Sequence, residues 1–164
     1  IGGEWGHNPL PQPDDSERPG PACYCGRRGC IETFLSGPAL ARDWQGPGKQ
    51  EASDSQDDCA TLVAAAQDGD KGARAAIHRY QDRLARSLSL IINILDPDVI
   101  VLGGGLSKIE SLYDGLPGLL PAYVFSDRVD TKILPPKHGD SSGVRGAAWL
   151  WGKAEAPQAL GPLT

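Results

Sequence analysis

The chain has 164 residues, of which 40% are apolar, and this is enough for one ordinary domain with a hydrophobic core. Its 21 acidic and 16 basic side chains give a formal net charge of -5, which argues against a surface that binds nucleic acid. No apolar run approaches the roughly 20 residues of a membrane-spanning helix. We therefore expect a globular protein that binds neither nucleic acid nor a membrane.

The sequence contains no methionine, although a newly translated chain starts with one. We therefore expect a processed product, a fragment, or a sequence whose beginning is missing. The first residues, Ile1-Gly2-Gly3, show no apolar stretch of the kind found in a secretory signal peptide. Cysteines without a signal peptide favour a reducing, cytoplasmic location.

One histidine and three cysteines lie near the beginning of the chain: His7, Cys23, Cys25 and Cys30. They offer the four ligands of a tetrahedral Cys3His zinc site, in which the metal has a structural role. A disulfide framework is typical of small secreted chains with more cysteines, and Cys23 and Cys25 are too close in sequence for comfortable disulfide geometry. The pattern favours zinc over cysteines that are merely neighbours, whereas Cys59 is expected to be an ordinary thiol.

The segments around this cluster predict loops and a broken helix. Residues 9–21 include five prolines and predict an irregular loop between the histidine and the cysteines. Residues 31–44 carry apolar side chains at helical spacing, and the predicted helix is interrupted or restarted at Ser36-Gly37-Pro38. Residues 45–58 are polar and have no hydrophobic periodicity, so we expect an exposed connection of low order.

Two helices are predicted next, over residues 59–67 and about 71–95. In the second helix apolar residues recur at spacings of three and four, so one face should be buried. The helix is expected to end at residues 96–98. The continuous apolar run 99–102 then predicts a short strand that is covered on both faces.

Three glycines, Gly103 to Gly105, follow this strand and are typical of a turn between a strand and a helix. A helical segment from about Ser107 is expected to be limited by Pro117 and Pro121. A second strand is predicted over residues 132–134.

Another helix is predicted from Ser141 onward, after the second strand. The alternation of helices and strands indicates an α/β fold with parallel strands. Typical sheets have roughly five or six strands, so two strands predict a sheet that is incomplete in this chain.

Four sequence blocks carry a resemblance to a known family. They are GEWGHNPLP at 3–11, CYCGRRGCIETFLSG at 23–37, NILDPDVIVLGGGLS at 93–107 and KHGDSSGVRGAAWLW at 137–151. Together they resemble the C-terminal portion of ROK-family sugar kinases, most closely bacterial fructokinases. The resemblance implies an actin-like, RNase-H-like ATPase fold, phosphorylation of a hexose by ATP, and usually a homodimer.

The resemblance also implies that different segments of residues 1–164 have different roles. Residues 1–37 form the segment that binds zinc and contacts the sugar, and residues 45–58 form a flexible connection. Residues 59–151 form a helical and α/β segment that reaches the adenosine side of the nucleotide.

Roles for single residues follow from the resemblance. His7 is a ligand to structural zinc, and its other ring nitrogen can face the sugar. Glu4 and Glu32 accept hydrogen bonds from sugar hydroxyl groups. The residues that lie against the adenosine of ATP, which enters with Mg2+, are Gly103, Gly104 and Gly105. From the residues alone, Glu32 is better explained as a carboxylate at a helix N-terminus, and the glycines as an ordinary turn.

Three motifs of such kinases are absent from this sequence: an Asp-x-Gly-Gly-Thr phosphate loop, an Asn-Asp-Ala-Asn block whose aspartate deprotonates the sugar, and a Gly-Thr-Gly-x-Gly phosphate turn. Phosphoryl transfer depends on alignment and charge stabilisation, which these motifs would supply. We therefore expect no catalytic residue in this chain and no kinase activity from the chain alone.

The leading functional prediction is part of a fructokinase, which converts D-fructose and ATP to fructose 6-phosphate and ADP. A kinase for another hexose or for an N-acetylhexosamine is a close alternative, because the sequence blocks barely separate these sugars. A ROK-type transcriptional repressor shares the zinc block and differs by an N-terminal DNA-binding domain. An inactive truncated product is the remaining alternative.

Overall fold

A computed structural model of the protein describes residues 3–46, 56–139 and 142–150. The helices are α1 (Glu32–Leu35), α2 (Gly37–Gln45), α3 (Gln56–Gln67), α4 (Lys71–Leu95), α5 (Ser111–Leu119) and α6 (Ser142–Trp149). The strands are β1 (Val99–Val101) and β2 (Lys132–Leu134). Short 3₁₀ turns lie at Trp5–His7, Asp15–Glu17, Gly105–Lys108 and Leu120–Ala122.

Helix α4 is the central element, and it packs against α1, α2, α3 and α5. The carboxylate of Asp70 caps its beginning by accepting a hydrogen bond of 2.6 Å from the Ala73 N–H. Its end is marked by Asp96 in the left-handed conformation, with φ of 43°. The buried side of α4 contributes Tyr80 and Leu84 to the core, which confirms the predicted amphipathic helix.

The break between α1 and α2 is confirmed. Ser36 ends α1 and caps α2, because its hydroxyl accepts a hydrogen bond of 3.3 Å from the Ala39 N–H. Helix α3 begins at Gln56 rather than near Cys59, since hydrophobic periodicity does not mark a polar first turn. The rest of the connection predicted over 45–58 lies mostly outside the described residues.

Strands β1 and β2 pair in parallel, with Ile100 opposite Ile133. The Leu102 N–H donates to the Leu134 carbonyl at 3.1 Å and extends the ladder. The parallel arrangement confirms the prediction. Within the described residues these two strands form the whole sheet.

The prediction that the first strand is covered on both faces is wrong for the described structure. Val99 and Val101 are 41% and 56% exposed, whereas Ile133 on the opposite face is 7% exposed. Helix α5 contacts β2 and covers that second face. The apolar run predicted two covering layers, but the described residues supply only one.

The helical segment predicted to be limited by Pro117 and Pro121 ends at Leu119, before Pro121, but Pro117 lies inside α5 and does not end it. A proline inside a helix removes one backbone hydrogen bond. Leu112, Leu116 and Leu120 are all at most 1% exposed, so packing offsets that loss.

Helix α6 confirms the helix predicted from Ser141, although it begins at Ser142. Val144, Trp149 and Leu150 are between 75% and 82% exposed, so no apolar side chain of this segment is buried against the described residues. Within the described ranges, no helix combines the length and apolar character that crossing a membrane requires.

Candidate functional site

The predicted metal ligands converge in space. The ligand atoms of His7, Cys23, Cys25 and Cys30 all lie within 4.8 Å of one another. The Sγ atoms of Cys25 and Cys30 are 3.6 Å apart, and Cys23 Sγ is 3.5 Å from His7 Nδ1. A tetrahedral zinc ion with Zn–S of about 2.3 Å and Zn–N of about 2.0 Å separates its ligands by about 3.5 to 3.8 Å. The cluster therefore has the size and the donor atoms of a Cys3His zinc site.

A tight turn aims the first two cysteines at this point. The Cys23 N–H donates to the Arg27 carbonyl at 2.8 Å, and the Gly26 N–H donates to the Cys23 carbonyl at 3.0 Å. Gly26 has a φ of +85°, a conformation that glycine adopts at low cost. Cys30 then pairs with Pro9 in an isolated bridge, which brings the third cysteine back beside the histidine.

Two glycines hold the proline-containing loop against this turn. A Cβ atom on Gly20 would lie 2.5 Å from the Cα of Gly29, which is closer than real Cβ atoms approach other atoms. Gly20 itself has a φ of +77°. Only the absence of a side chain at this position lets the two backbones meet, and their contact closes the loop around the predicted metal ligands.

The pKa values of two thiols in the cluster, Cys25 and Cys30, are shifted in opposite directions. Hydrogen bonds, chiefly from the Arg27 backbone N–H and then with the Cys23 and Cys30 side chains, lower the pKa of Cys25 to about 6. Burial raises the pKa of Cys30 to about 11, with further contributions from Cys25 and Cys23. A thiolate is the form that binds metal, so the turn already favours the metal-binding form of Cys25.

The second nitrogen of the histidine ring faces a carboxylate and a tyrosine. His7 Nε2 lies 3.8 Å from Glu32 Oε2 and 2.8 Å from the hydroxyl oxygen of Tyr24. The His7 and Tyr24 rings meet edge to face, with their centroids 4.9 Å apart. The structure therefore brings together His7 and Glu32, two of the predicted sugar-binding residues.

Tyr24 is a site residue that the sequence reasoning missed. Its hydroxyl faces His7, although the residue as a whole is 83% exposed. Desolvation raises the pKa of this tyrosine, and the negative charge of Glu32 raises it further. The available signal was its position between two predicted metal ligands, Cys23 and Cys25, which keeps its backbone close to the cluster.

Glu4, the third predicted sugar-binding residue, lies at the start of the Trp5–His7 turn. Its carbonyl accepts a hydrogen bond of 3.2 Å from the His7 N–H, and its side chain is exposed. Its charge makes a smaller contribution to the raised pKa of Tyr24. Glu4 therefore acts electrostatically on the same hydroxyl group as Glu32.

The predicted nucleotide-binding glycines lie along a separate cavity of about 560 Å³. Other walls of this cavity are formed by Trp5, Ser36 and Tyr80. A Cβ atom on Gly103 or Gly104 would meet no atom within 4 Å, so the space in front of the turn is open. Because Trp5 lies between Glu4 and His7 in the sequence, the turn that carries those residues also reaches this cavity.

A buried ionic network, also missed from the sequence, holds the proline-containing loop on α4. Glu17 is 5% exposed and accepts hydrogen bonds from Arg83 Nε at 2.7 Å and from Arg86 at 2.9 Å. Arg86 also donates to the carbonyl groups of Pro11 and Gln12, at 2.9 and 2.8 Å. The loop is therefore anchored at three points.

The network sets the charge of its central carboxylate. Burial alone would raise the pKa of Glu17, but hydrogen bonds from Arg86 and Arg83 outweigh this effect and lower it. Asp14 and Glu17 also form a capping box around the short turn between them. The spacing of an aspartate three residues before a glutamate was the sequence signal for this turn.

Comparison with known proteins identifies the family. Residues 1–154 match the family model described as "ROK family". The chain belongs to the ROK family. It is 38% identical over 154 residues to an N-acetyl-D-glucosamine kinase of Shigella boydii, covering 92% of this chain and 49% of that relative. The ROK chain therefore spans about half the length of the curated relatives it matches.

Solved structures resemble the ROK chain over most of its length. A ROK family glucokinase from Streptomyces griseus in complex with glucose and AMPPNP has a TM-score of 0.71 and 25% identity, covering 92% of this chain and 51% of that one. A ROK family transcriptional regulator, a homologue of the Escherichia coli MLC protein, has a TM-score of 0.58 and 27% identity, covering 81% and 34%. The family therefore includes both kinases and regulators.

Proposed function

We propose that this ROK chain is the metal-binding and sugar-contacting part of an ATP-dependent hexose kinase. The observation that carries the proposal is the position of the His7 ring, with Nδ1 beside Cys23 in the metal cluster and Nε2 facing Glu32. The similarity to an N-acetyl-D-glucosamine kinase and to a glucokinase in complex with glucose supports it.

The metal we assign to the cluster is zinc, held by His7, Cys23, Cys25 and Cys30. When bound, it supplies rigidity rather than chemistry, because four protein ligands close its coordination sphere. His7 is then oriented through Nδ1, and its Nε2 remains directed toward Glu32. Glu32 and Glu4 accept hydrogen bonds from sugar hydroxyl groups, since each carboxylate offers two acceptor oxygens.

We assign the nucleotide to the cavity along Gly103, Gly104 and Gly105, which has about 560 Å³ and open space in front of its glycines. The nucleotide would enter with Mg2+, for which this chain offers no assigned ligand. The ROK chain spans about half the length of its relatives, so we propose that the catalytic base and the phosphate loops belong to another part of the whole protein. A cytoplasmic homodimer remains a prediction.

The substrate proposal differs from the first expectation. The sequence blocks favoured D-fructose, but curated relatives that are 37% to 38% identical to this chain are N-acetyl-D-glucosamine kinases. We therefore rank N-acetyl-D-glucosamine first and retain D-fructose as the second sugar to test.

The deciding experiment measures ATP-dependent phosphorylation by the complete protein, with N-acetyl-D-glucosamine, D-glucose and D-fructose as substrates. Replacing Glu32 by Gln should lower kcat/KM roughly ten- to a hundredfold, because a charged hydrogen bond to the sugar is lost. Asp15→Asn is the matched control, since Asp15 is an exposed acid that forms an ion pair with Arg18. Absence of phosphorylation of all three sugars would overturn the kinase proposal, and robust turnover by the 164-residue chain alone would overturn the proposed division of catalysis.

A ROK-type regulator is the second candidate, and the observation that favours it is the similarity to the regulator structure. A complete protein of this kind would bind specific DNA and would not turn over ATP with a hexose. Specific binding of operator-like DNA in an electrophoretic assay, without sugar phosphorylation, would support this candidate over the kinase.

A further inference from the structure

We propose that a pocket behind α1, on the side away from the His7 ring, binds a phosphate group. The pocket has about 430 Å³ and is lined by four arginines, which we call the arginine pocket: Arg18, Arg28, Arg42 and Arg83. The chain carries a net charge of -5, so this concentration of positive charge is not the average of its surface.

The arginine pocket is separate from the proposed sugar site. Helix α1 directs Glu32 toward His7, whereas the next two residues, Thr33 and Phe34, line the arginine pocket. The opposite wall comes from the proline-containing loop, through Pro19, Gly20 and Pro21. Because the pocket shares none of the predicted metal, sugar or nucleotide residues, its proposed ligand does not depend on the kinase assignment.

Two of the four guanidinium groups, those of Arg83 and Arg18, already form ion pairs with carboxylates. Arg83 pairs with Glu17 at 2.7 Å and with Asp43 at 3.4 Å. Arg18 pairs with Asp15 at 3.5 Å in an exposed ion pair. Asp43 is the acidic residue that lines the pocket, and its carboxylate also accepts a hydrogen bond of 2.9 Å from Arg79 Nε, so its charge is engaged by Arg83 and Arg79.

Arg28 and Arg42 make no ion pair with any described residue, and Arg42 donates only to the Thr33 carbonyl, at 3.2 Å. Two guanidinium groups that face one cavity without carboxylate partners match the charge of a phosphate dianion. Their planar donor groups also fit phosphate oxygens in a bidentate geometry. A single carboxylate would neutralise only half of this charge, which favours phosphate.

The wall of the pocket is rigid enough to define a site. Arg83 is 8% exposed, and its guanidinium lies over the Phe34 ring, 5.2 Å from the centroid. Glu17 and Asp43 hold it from the other side. Arg28 and Arg42 are exposed at the mouth of the pocket, where a ligand can reach them from solvent.

The ligand chemistry is a phosphate group, either inorganic phosphate or the phosphate of a monoester such as a hexose 6-phosphate. Two-dimensional NMR of the 15N-labelled chain distinguishes these sources. Potassium phosphate and D-glucose 6-phosphate are titrated separately against potassium chloride at matched ionic strength. We expect saturable shifts of the Gly20, Thr33 and Phe34 amides with at least one of the two phosphates, and not with chloride.

Charge-removing variants test the assignment. Arg28→Gln and Arg42→Gln should each weaken phosphate binding about tenfold, because each removes one charge-assisted contact. The control is Arg128→Gln, since Arg128 is exposed and paired with Asp130 outside the pocket. Arg28 makes no side-chain hydrogen bond with the described residues, so its variant should retain the fold and an unchanged amide spectrum elsewhere.

Tighter binding of D-glucose 6-phosphate would identify the monoester as the preferred form, and equal binding would identify the phosphate group alone. Equal shifts in chloride would overturn the proposal. The same conclusion would follow if Arg128→Gln weakened binding as much as Arg28→Gln, or if neither phosphate saturated.

Discussion

Two regions of this molecule bury their apolar side chains to different extents. In the knuckle region, which comprises residues 3–46 packed on α4, Cys30, Ile31 and Leu40 are at most 1% exposed. In the sheet region, which comprises the C-terminal end of α4, β1, β2 and α6, Ile94 and Trp149 are 76% and 78% exposed. Both regions are rich in apolar residues, so apolar sequence alone does not secure burial. Burial of apolar side chains also requires a second layer of secondary structure packed against them, which the sheet region lacks among the described residues.

The knuckle region is held by contacts that join distant parts of the chain. The candidate metal cluster brings His7 beside Cys30, and the Glu17 network links the proline-containing loop to Arg86 on α4. The sheet region has a two-stranded ladder, and a pair of strands is marginally stable without a packed layer. We therefore expect mutations in the knuckle region to cost far more stability than mutations on the open face of the sheet region.

The largest effect should follow removal of a metal ligand. We expect Cys30→Ser to lower zinc from about one ion per chain to near none, and to cost more than about 4 kcal/mol of unfolding free energy, because the lost coordination stabilises the folded state. Zinc is measured by elemental analysis under reducing conditions, and stability by urea denaturation. Cys59→Ser is the control and should retain the metal, since Cys59 lies outside the cluster. A wild-type chain without zinc would contradict the metal assignment.

The next effect should come from the buried ion pairs. We expect Glu17→Gln to cost about 3 kcal/mol, because Arg83 and Arg86 would lose a buried negative charge. Asp15→Asn, in an exposed ion pair of the same turn, should change stability by less than about 0.5 kcal/mol. Similar costs for both variants in urea denaturation would show that the loop is not anchored through Glu17.

We also expect the stability difference between the wild type and Glu17→Gln to depend on pH. The pKa of Glu17 is lowered in the folded state, so its contribution is present above its unfolded pKa of about 4.3 and is lost as the pH falls through the folded pKa. The stability difference between wild type and Glu17→Gln should therefore shrink below about pH 4. Asp43 and Asp82 also face these arginines, but they are present in both proteins, so their titration enters the difference only through coupling to Glu17. A difference that grew in acid would contradict this sign.

A smaller effect should follow from filling the contact between the loop and the metal turn. We expect Gly20→Ala to cost about 2 kcal/mol, because its Cβ would collide with the Gly29 backbone and its φ is positive. Gly26→Ala shares the positive φ but would meet no atom within 4 Å, so it should cost only about 1 kcal/mol. Thermal unfolding of the two variants measures the steric part of the cost. Equal losses would mean that the close contact contributes nothing.

The smallest effect should appear on the open face of the sheet region. We expect Ile94→Gln to change stability by less than about 0.5 kcal/mol, because this side chain is 76% exposed. Ile92→Ala on the same helix should cost about 3 kcal/mol, since Ile92 is 4% exposed. If Ile94→Gln cost as much as Ile92→Ala, the face would be covered in solution, and the contrast between the two regions would fail.

Much of the fold could be predicted from local patterns. The spacing of apolar residues predicted α4, and Ser36 with Pro38 predicted the break between α1 and α2. Residue type and spacing also predicted the four cluster residues, because few other roles suit three cysteines and a histidine so near one another. The errors at Pro117 and on the face of β1 have a common cause, since both depend on what packs against the element.

The sequence by itself determined the helices, the parallel strands, the residues of the candidate metal cluster and the family, because each depends on residue types and their spacing along the chain. Only the tertiary structure decided which carboxylate faces the His7 ring, that Tyr24 shares it, and that Glu17 anchors the loop to α4. It also decided that Arg28 and Arg42 open onto one pocket. These arrangements join residues far apart in the chain, and their energies depend on distance and burial, which no local pattern specifies.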